Sequence, residues 1–345
     1  MTIYHSEKVQ TNLDFMTRVP KNLLINGNFN VWQRGTVFNP INPNLMYTAD
    51  RWYIGVGSAL TNRRVVRPSA GGIPLNEIYI QRLSGDTSTQ AFTLCYRFEA
   101  AETLGLRGET LTLSFNALAG ADYSAVDNIL DVRIFTHTDN DEGFTLTSSG
   151  LFPTTGRTQV ERILPELTTS RTKYTMTLTV PTDANQMQIW FYYNPTGTAG
   201  AADLFRISEV QLEVGGHFTS FEHRPLAEEV IMCQRYYEQS SPGVMSDGMA
   251  RHNQPIITSY STGAARTMIS WKVLKRVTPT ITIFRTTDGG TNGMPAYFNG
   301  SAWVNATSIA FNTNNAREST LEMVGTYVAL NSYISSFGWV ADAEL

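Results

Sequence analysis

Five histidines, two cysteines and 30 carboxylates are the side chains here that can hold a metal or move a proton. The histidines (His5, His137, His217, His223 and His252) stand apart from one another, and no HExxH, CxxC or GxSxG motif surrounds them. Metalloprotease and serine-hydrolase chemistry therefore lack their local signatures. Cys95 and Cys233 are distant in sequence and have no ligand-spaced partner, which reads as two buried thiols, with a disulfide between them left open. Glycoside cleavage needs two carboxylates flanking one bond. Glu209, Glu213 and Glu222, and separately Asp139, Asp141 and Glu142, supply acids but no pairing rule. The Asp139–Glu142 stretch reads as a solvated turn without the ligand ladder of a calcium loop. Gly71-Gly72 and Gly289-Gly290 lack the strand and helix that flank a phosphate loop, so they read as turns. The expectation is a protein that is not an enzyme.

Aromatic residues are the more informative chemistry. Trp32, Trp52, Tyr53, Trp190, Tyr192, Trp271, Trp303 and Trp339 are spread along the chain. In Gln186–Tyr193, Trp190 and Tyr192 alternate with Phe191 and Tyr193, so one strand carries rings on both faces. One face belongs to a core, and the other is covered by a loop or subunit, or binds something. Flat rings beside Asn, Gln and Arg suit sugars, whose C–H faces stack on aromatic rings and whose hydroxyls pair with amides. In the distal part of the chain, Trp271, Tyr297 and Trp303 are the candidate stacking residues.

The elements that must position these groups are strands. The chain has 345 residues, 42% hydrophobic, 11% aromatic and only 16% charged, with net charge −4. Its polar surface rests on 42 Thr and 23 Asn, types that favour strands and turns. Twenty-one Arg against 5 Lys suit fixed, bidentate contacts more than a diffuse basic field, and no nucleic-acid footprint is present. No apolar h-region opens the chain, and no run of 18 apolar residues predicts a membrane span.

Alternation predicts strands at Thr93–Phe98, Leu130–Ile134, Thr110–Ala117, Tyr174–Val180 and Gln186–Tyr193. The apolar parity of Phe205–Val214 changes midway, which predicts a β-bulge near Ser208–Glu209. A helix is expected over Leu226–Gln239, with Pro225 at its first position, followed by more strands, the last at Tyr327–Tyr333 and Phe337–Val340, and an Asn299-Gly300 hairpin turn. The fold class expected is all-β: a jelly-roll β-sandwich, a short helix, and a C-terminal β-rich trimerising or tip domain. The divisions are an arm at 1–21, a sandwich at 22–224, a linking helix at 225–240 and a tip at 241–345.

Asn22–Gly35 (NLLINGNFNVWQRG) with Ala49–Trp52 (ADRW), Leu106–Ala119, Phe205–Pro225, Met232–Glu238 (MCQRYYE) and the terminal Trp339–Leu345 (WVADAEL) together resemble bacteriophage virion appendage proteins. These are tail fibres and receptor-binding proteins whose jelly rolls resemble carbohydrate-binding modules. The resemblance implies a homotrimer located in the virion and made in the host cytoplasm. Residues 1–30 would attach it to tail or capsid proteins, and it would grip a host-surface glycan without inserting into a membrane. It implies no cofactor beyond a structural calcium, for which Asn26 and Glu213 occupy comparable motif positions. A capsid decoration or head-fibre protein is the alternative. A polysaccharide depolymerase is a second alternative, disfavoured because no β-helix repeat appears.

Overall fold

Leu111, Leu113, Phe115 and Ala117 alternate through Thr110–Ala119 and are all fully buried, the period-2 pattern of a strand with one face on a core. A computed structural model describes residues 21–39, 44–56, 62–140, 155–240, 258–261, 264–285, 296–298, 303–305, 308–324 and 337–344. The N-terminal strands are β1 (Val37–Phe38), β2 (Asn44–Tyr47), β3 (Trp52–Val56), β4 (Arg63–Val66), β5 (Ser69–Ala70), β6 (Ile73–Pro74), β7 (Ile78–Arg82) and β8 (Phe92–Arg97). After a short helix α1 (Ala100–Leu104) come β9 (Thr110–Ala119), β10 (Asp131–His137), β11 (Arg157–Ile163), β12 (Thr172–Thr179), β13 (Gln186–Tyr193) and β14 (Leu204–Val214).

Twelve of these strands form two six-stranded antiparallel sheets, ordered β1-β4-β7-β14-β9-β12 and β11-β10-β13-β8-β3-β2. They enclose one core in a jelly-roll sandwich, and Trp52, Phe115, Phe191 and Phe205 are fully buried in it. One ring contact crosses that core, where Phe115 meets Phe191 edge-on at 5.0 Å; within the second sheet, Trp52 meets its cross-strand partner Tyr96 at 5.1 Å. The predicted bulge is present. β14 pairs with β9 through Ser208↔Asn116, then resumes at Gln211↔Ser114, and Glu209 has φ 50°. The Gly71-Gly72 turn joins β5 to β6, with φ of 58° and 81°, a conformation that glycine adopts without penalty.

Helix α2 (Leu226–Gln234) is shorter than the sequence predicts. Pro225 is its N-cap, one position before the expected place. Residues Tyr237–Gln239 form β15 instead, pairing Tyr237↔Asp342 and Gln239↔Val340 with β23 (Phe337–Asp342). Tertiary pairing thus overrides the helical period there. Nor is α2 a free link: Cys233 and Tyr236 pack on Ile25 and Val31 of the N-terminal segment. Helix α1 escaped the sequence reading; its capping box is made by Glu99 and Glu102 rather than by Ser or Thr.

The remaining C-terminal strands are β16 (Thr258–Ser261), β17 (Ala264–Ser270), β18 (Thr280–Arg285), β19 (Ala296–Phe298), β20 (Trp303–Asn305), β21 (Ser308–Asn314) and β22 (Glu318–Val324). They form the sheets β15-β23-β18 and β16-β17-β22-β21 and the ribbon β19-β20. The strands flanking Asn299-Gly300 pair antiparallel; the turn itself lies outside the described residues, as do the expected strand 327–333 and residues 1–20. A buried ion pair joins Lys275 to Glu238 of β15.

The motifs behind the resemblance are structural ties. Asn26, in the left-handed region at φ 57°, accepts the Val31 N–H at 3.0 Å, and its amide donates to the Val31 and Asp50 carbonyls at 2.9 Å each. Asn22 donates to the Val210 carbonyl at 3.0 Å and accepts the Leu24 and Leu212 N–H groups. Leu24, Asn26 and Phe29 are fully buried. Residues 22–30 are therefore part of the sandwich.

Candidate functional site

The outward side of the second sheet carries a row of side chains that runs across its strands. Register places Arg162 beside Arg133, Arg133 beside Trp190, Trp190 beside Cys95, Cys95 beside Tyr53 and Tyr53 beside Tyr47. Period 2 dictates this. Ile189, Phe191 and Tyr193 of β13 enter the core, so Trp190 and Tyr192 face away from it. Tyr53, Cys95, Phe135 and Trp190 form a second buried apolar cluster there, with Tyr47 and Tyr192 packed against it. Cys95 and Cys233 are both free and buried, and burial pushes both thiols up.

This face opens at its β10–β13 end into a cleft of 370 Å³. Tyr192 forms one wall, with its ring parallel to Trp190 at an interplanar angle of 10° and 6.3 Å between centroids. The opposite side is charged. Asp131 Oδ1 accepts Nε of both Arg133 and Arg162 at 2.9 Å, and Oδ2 accepts Arg162 Nη2 at 2.9 Å and Arg133 Nη2. The Arg133 guanidinium also lies 5.5 Å from the Tyr192 ring centre. Burial alone would raise the Asp131 carboxyl, but hydrogen bonds from Arg133 and Arg162 outweigh it and hold it below the usual range. Asn194 adds an amide, while Val126 and Leu164, 59% and 47% exposed, add apolar edges. The Val126 loop is fixed by two bridges, Ala125↔Pro195 and Ile129↔Glu166. Nearby, Trp190 Nε1 is buried without a hydrogen-bond partner among the described residues.

A ring wall, a planar guanidinium pair, an amide and apolar edges can hold a hydroxylated ring by stacking and hydrogen bonds. They cannot supply paired acid chemistry. Asp131 is the single carboxylate among the described lining residues, and it is held ionised by two arginines.

The sequence-predicted site residues fall elsewhere. Trp271 is 7% exposed, packs edge-on against Trp339 at 5.2 Å and donates Nε1 to the Asn315 carbonyl at 3.1 Å. It is a packing residue with no open face for a ligand. Tyr297 pairs with Val304, and Trp303 with Phe298, so the two are offset by one position rather than cross-strand partners. Asn26 spends its amide on Val31 and Asp50. Glu213 accepts the Thr219 N–H and hydroxyl and the Gln211 amide, 4.0 Å from Lys21. With these oxygens engaged by protein donors, Asn26 and Glu213 do not fit a shared calcium ion. Among the described residues no three His, Cys, Asp or Glu side chains gather to hold a metal. Asp131, Arg133, Arg162 and Asn194 had no sequence signal, since register alone unites them. Tyr192 did have one, in the alternation of β13.

No family model matches the chain, and no curated protein matches it. Solved structures do. A CBM4 carbohydrate-binding module is 20% identical, with 55% of this chain and 98% of that one covered and a TM-score of 0.33. TmCBM61 in complex with β-1,4-galactotriose is 12% identical, with 56% and 99% covered and a TM-score of 0.30. The enzymatically active domain of tailspike protein 4 of bacteriophage CBA120 is 13% identical at a TM-score of 0.28. That match covers 56% of this chain but only 21% of the tailspike chain.

Proposed function

We propose that this chain is a structural protein of a bacteriophage virion, a tail fibre or similar receptor-binding appendage that grips host-surface glycan without cleaving it. The observation that carries the reading is the Tyr192 cleft: an aromatic wall facing an arginine–aspartate network on the outward side of a jelly-roll sheet. The sequence motifs support the virion setting. Residues 1–21 attach the subunit to the particle, and three copies form the working unit. Exposed Met268, Leu274 and Val277 in the C-terminal region support that assembly, because neighbouring copies would cover them. Trivalent attachment multiplies weak glycan contacts without new ones.

The test is made on intact particles and cells. Antibody labelling should mark the tail, and purified protein should compete with particles for adsorption. Labelling confined to the head, or adsorption untouched by saturating protein, contradicts the reading.

A further inference from the structure

The opposite sheet carries a second pocket, remote from the Tyr192 strand. It has a volume of 260 Å³, and its lining includes Asn28, Glu77, Asn116, Arg171, Glu209 and His223. The β14 bulge builds it. Phe205 and Ile207 before the bulge and Val210 and Leu212 after it are fully buried. The extra residue lets both Ser208 and Glu209 turn outward, where strict alternation would drive Glu209 into the core. Glu209 is held there at φ 50°, a conformation that favours glycine. Strain of this kind persists where the surroundings over-determine it, and it clusters at ligand sites. Here the surroundings are Asn116, whose amide donates to Glu209 Oε2 at 2.6 Å, and Lys173 at 3.9 Å.

Charges of both signs alternate around the pocket. Glu77 is buried and paired with both Arg171 and Arg206, and Arg171 also donates to the Ser208 hydroxyl. Glu209 is offset by Lys173. A metal ion would meet three cations, Arg171, Arg206 and Lys173, and a phosphate would meet two carboxylates, Glu77 and Glu209. A hydroxyl is donor and acceptor at once, so it can use carboxylate oxygens and amide N–H groups side by side. The volume lies just below the ~300–1,000 Å³ range of sites for drug-sized ligands, which suits a single ring. We propose that this pocket is a second ligand site that takes one neutral, hydroxyl-rich ring of hexose type, independent of the Tyr192 cleft.

Calorimetry and ligand-observed NMR on the full chain test this, with free glucose, galactose and mannose as neutral probes and calcium chloride and sodium phosphate as charged ones. The proposal expects one of the hexoses to bind. Glu209→Gly should weaken that binding about tenfold or more. Its melting temperature should hold or rise, because glycine adopts the positive φ freely. Binding by none of the hexoses, binding by calcium or phosphate alone, or affinity unchanged in Glu209→Gly overturns the proposal. Tyr192→Ala separates the two sites. Hexose binding lost there and kept in Glu209→Gly places the sugar in the cleft, which sinks this proposal and leaves the proposed function standing.

Discussion

Arg51 Nη1 lies 2.7 Å from Glu344 Oε2, with side chains 1% and 4% exposed, joining the start of the sandwich to the last described residue of the chain. The Arg51 guanidinium sits 3.5 Å from the Tyr236 ring centre and donates to the Arg97 carbonyl at 2.7 Å. Arg34 reaches the same carboxylate at 3.4 Å and stacks 3.6 Å from the Tyr237 ring centre. The WQRG, ADRW, QRYYE and WVADAEL motifs therefore meet at one buried charge cluster. Removing one partner of a buried pair strands the other without compensation. Glu344→Ala should lose about 3–5 kcal/mol of unfolding free energy in urea. A change below about 1 kcal/mol would show that the C-terminal tie is decorative.

The N-terminal motif makes a sharper steric demand. A Cβ on Gly27 would stand 2.2 Å from the Val210 carbonyl oxygen, while the Val210 N–H donates to the Gly27 carbonyl at 2.8 Å. Gly27→Ala must push two backbones apart and should cost about 1–3 kcal/mol. Gly105 caps α1 in ordinary right-handed conformation, with nothing within 4 Å of its added Cβ. Gly105→Ala should be neutral or stabilise by about 0.4–1 kcal/mol through the unfolded chain. Equal melting shifts in the two variants would contradict the packing described here.

The sandwich was legible because β9, β12 and β13 each send one parity of apolar residues into the shared core, and because the bulge at Ser208–Glu209 shifts that parity visibly. The C-terminal boundary of α2 was not. Tyr237 continues a helical face in sequence, but its backbone is claimed by Asp342, which no local pattern announces. The site divides the same way. The rings of Trp190 and Tyr192 could be seen to leave the core, whereas Asp131 and Arg162 meet only through the β10–β11 register. Trp271 misled because a tryptophan near Lys275 and Trp339 looks alike in sequence whether it is open or buried.

Acid should act through Glu99. Its two oxygens each accept a nitrogen of Arg235 at 3.1 Å, and Tyr236 donates its hydroxyl. Burial would raise this carboxyl, but those partners hold it below the usual carboxylate range. A carboxyl depressed in the folded state adds stability above its unfolded pKa, and the contribution is lost as pH falls through the folded value. The neighbouring Glu102 is raised by burial and acts in the opposite sense, so the comparison must be between variants. The stability gap between the parent and Glu99→Gln should be constant near neutrality and shrink below pH 4.5. Urea unfolding across that range measures it, and a gap that persists at the acid end contradicts the assignment.

Glycan gripping without cleavage at the Tyr192 cleft is tested most directly by titrating purified host-surface polysaccharide fragments into the parent protein and Tyr192→Ala, with reducing ends counted in the same samples. An aromatic contact of this kind is worth about 0.5–1.5 kcal/mol beyond its buried area. Saturable binding that weakens about tenfold in Tyr192→Ala is expected, with no new reducing ends in either sample. Unchanged affinity in the variant, or reducing ends that accumulate with time, would contradict it.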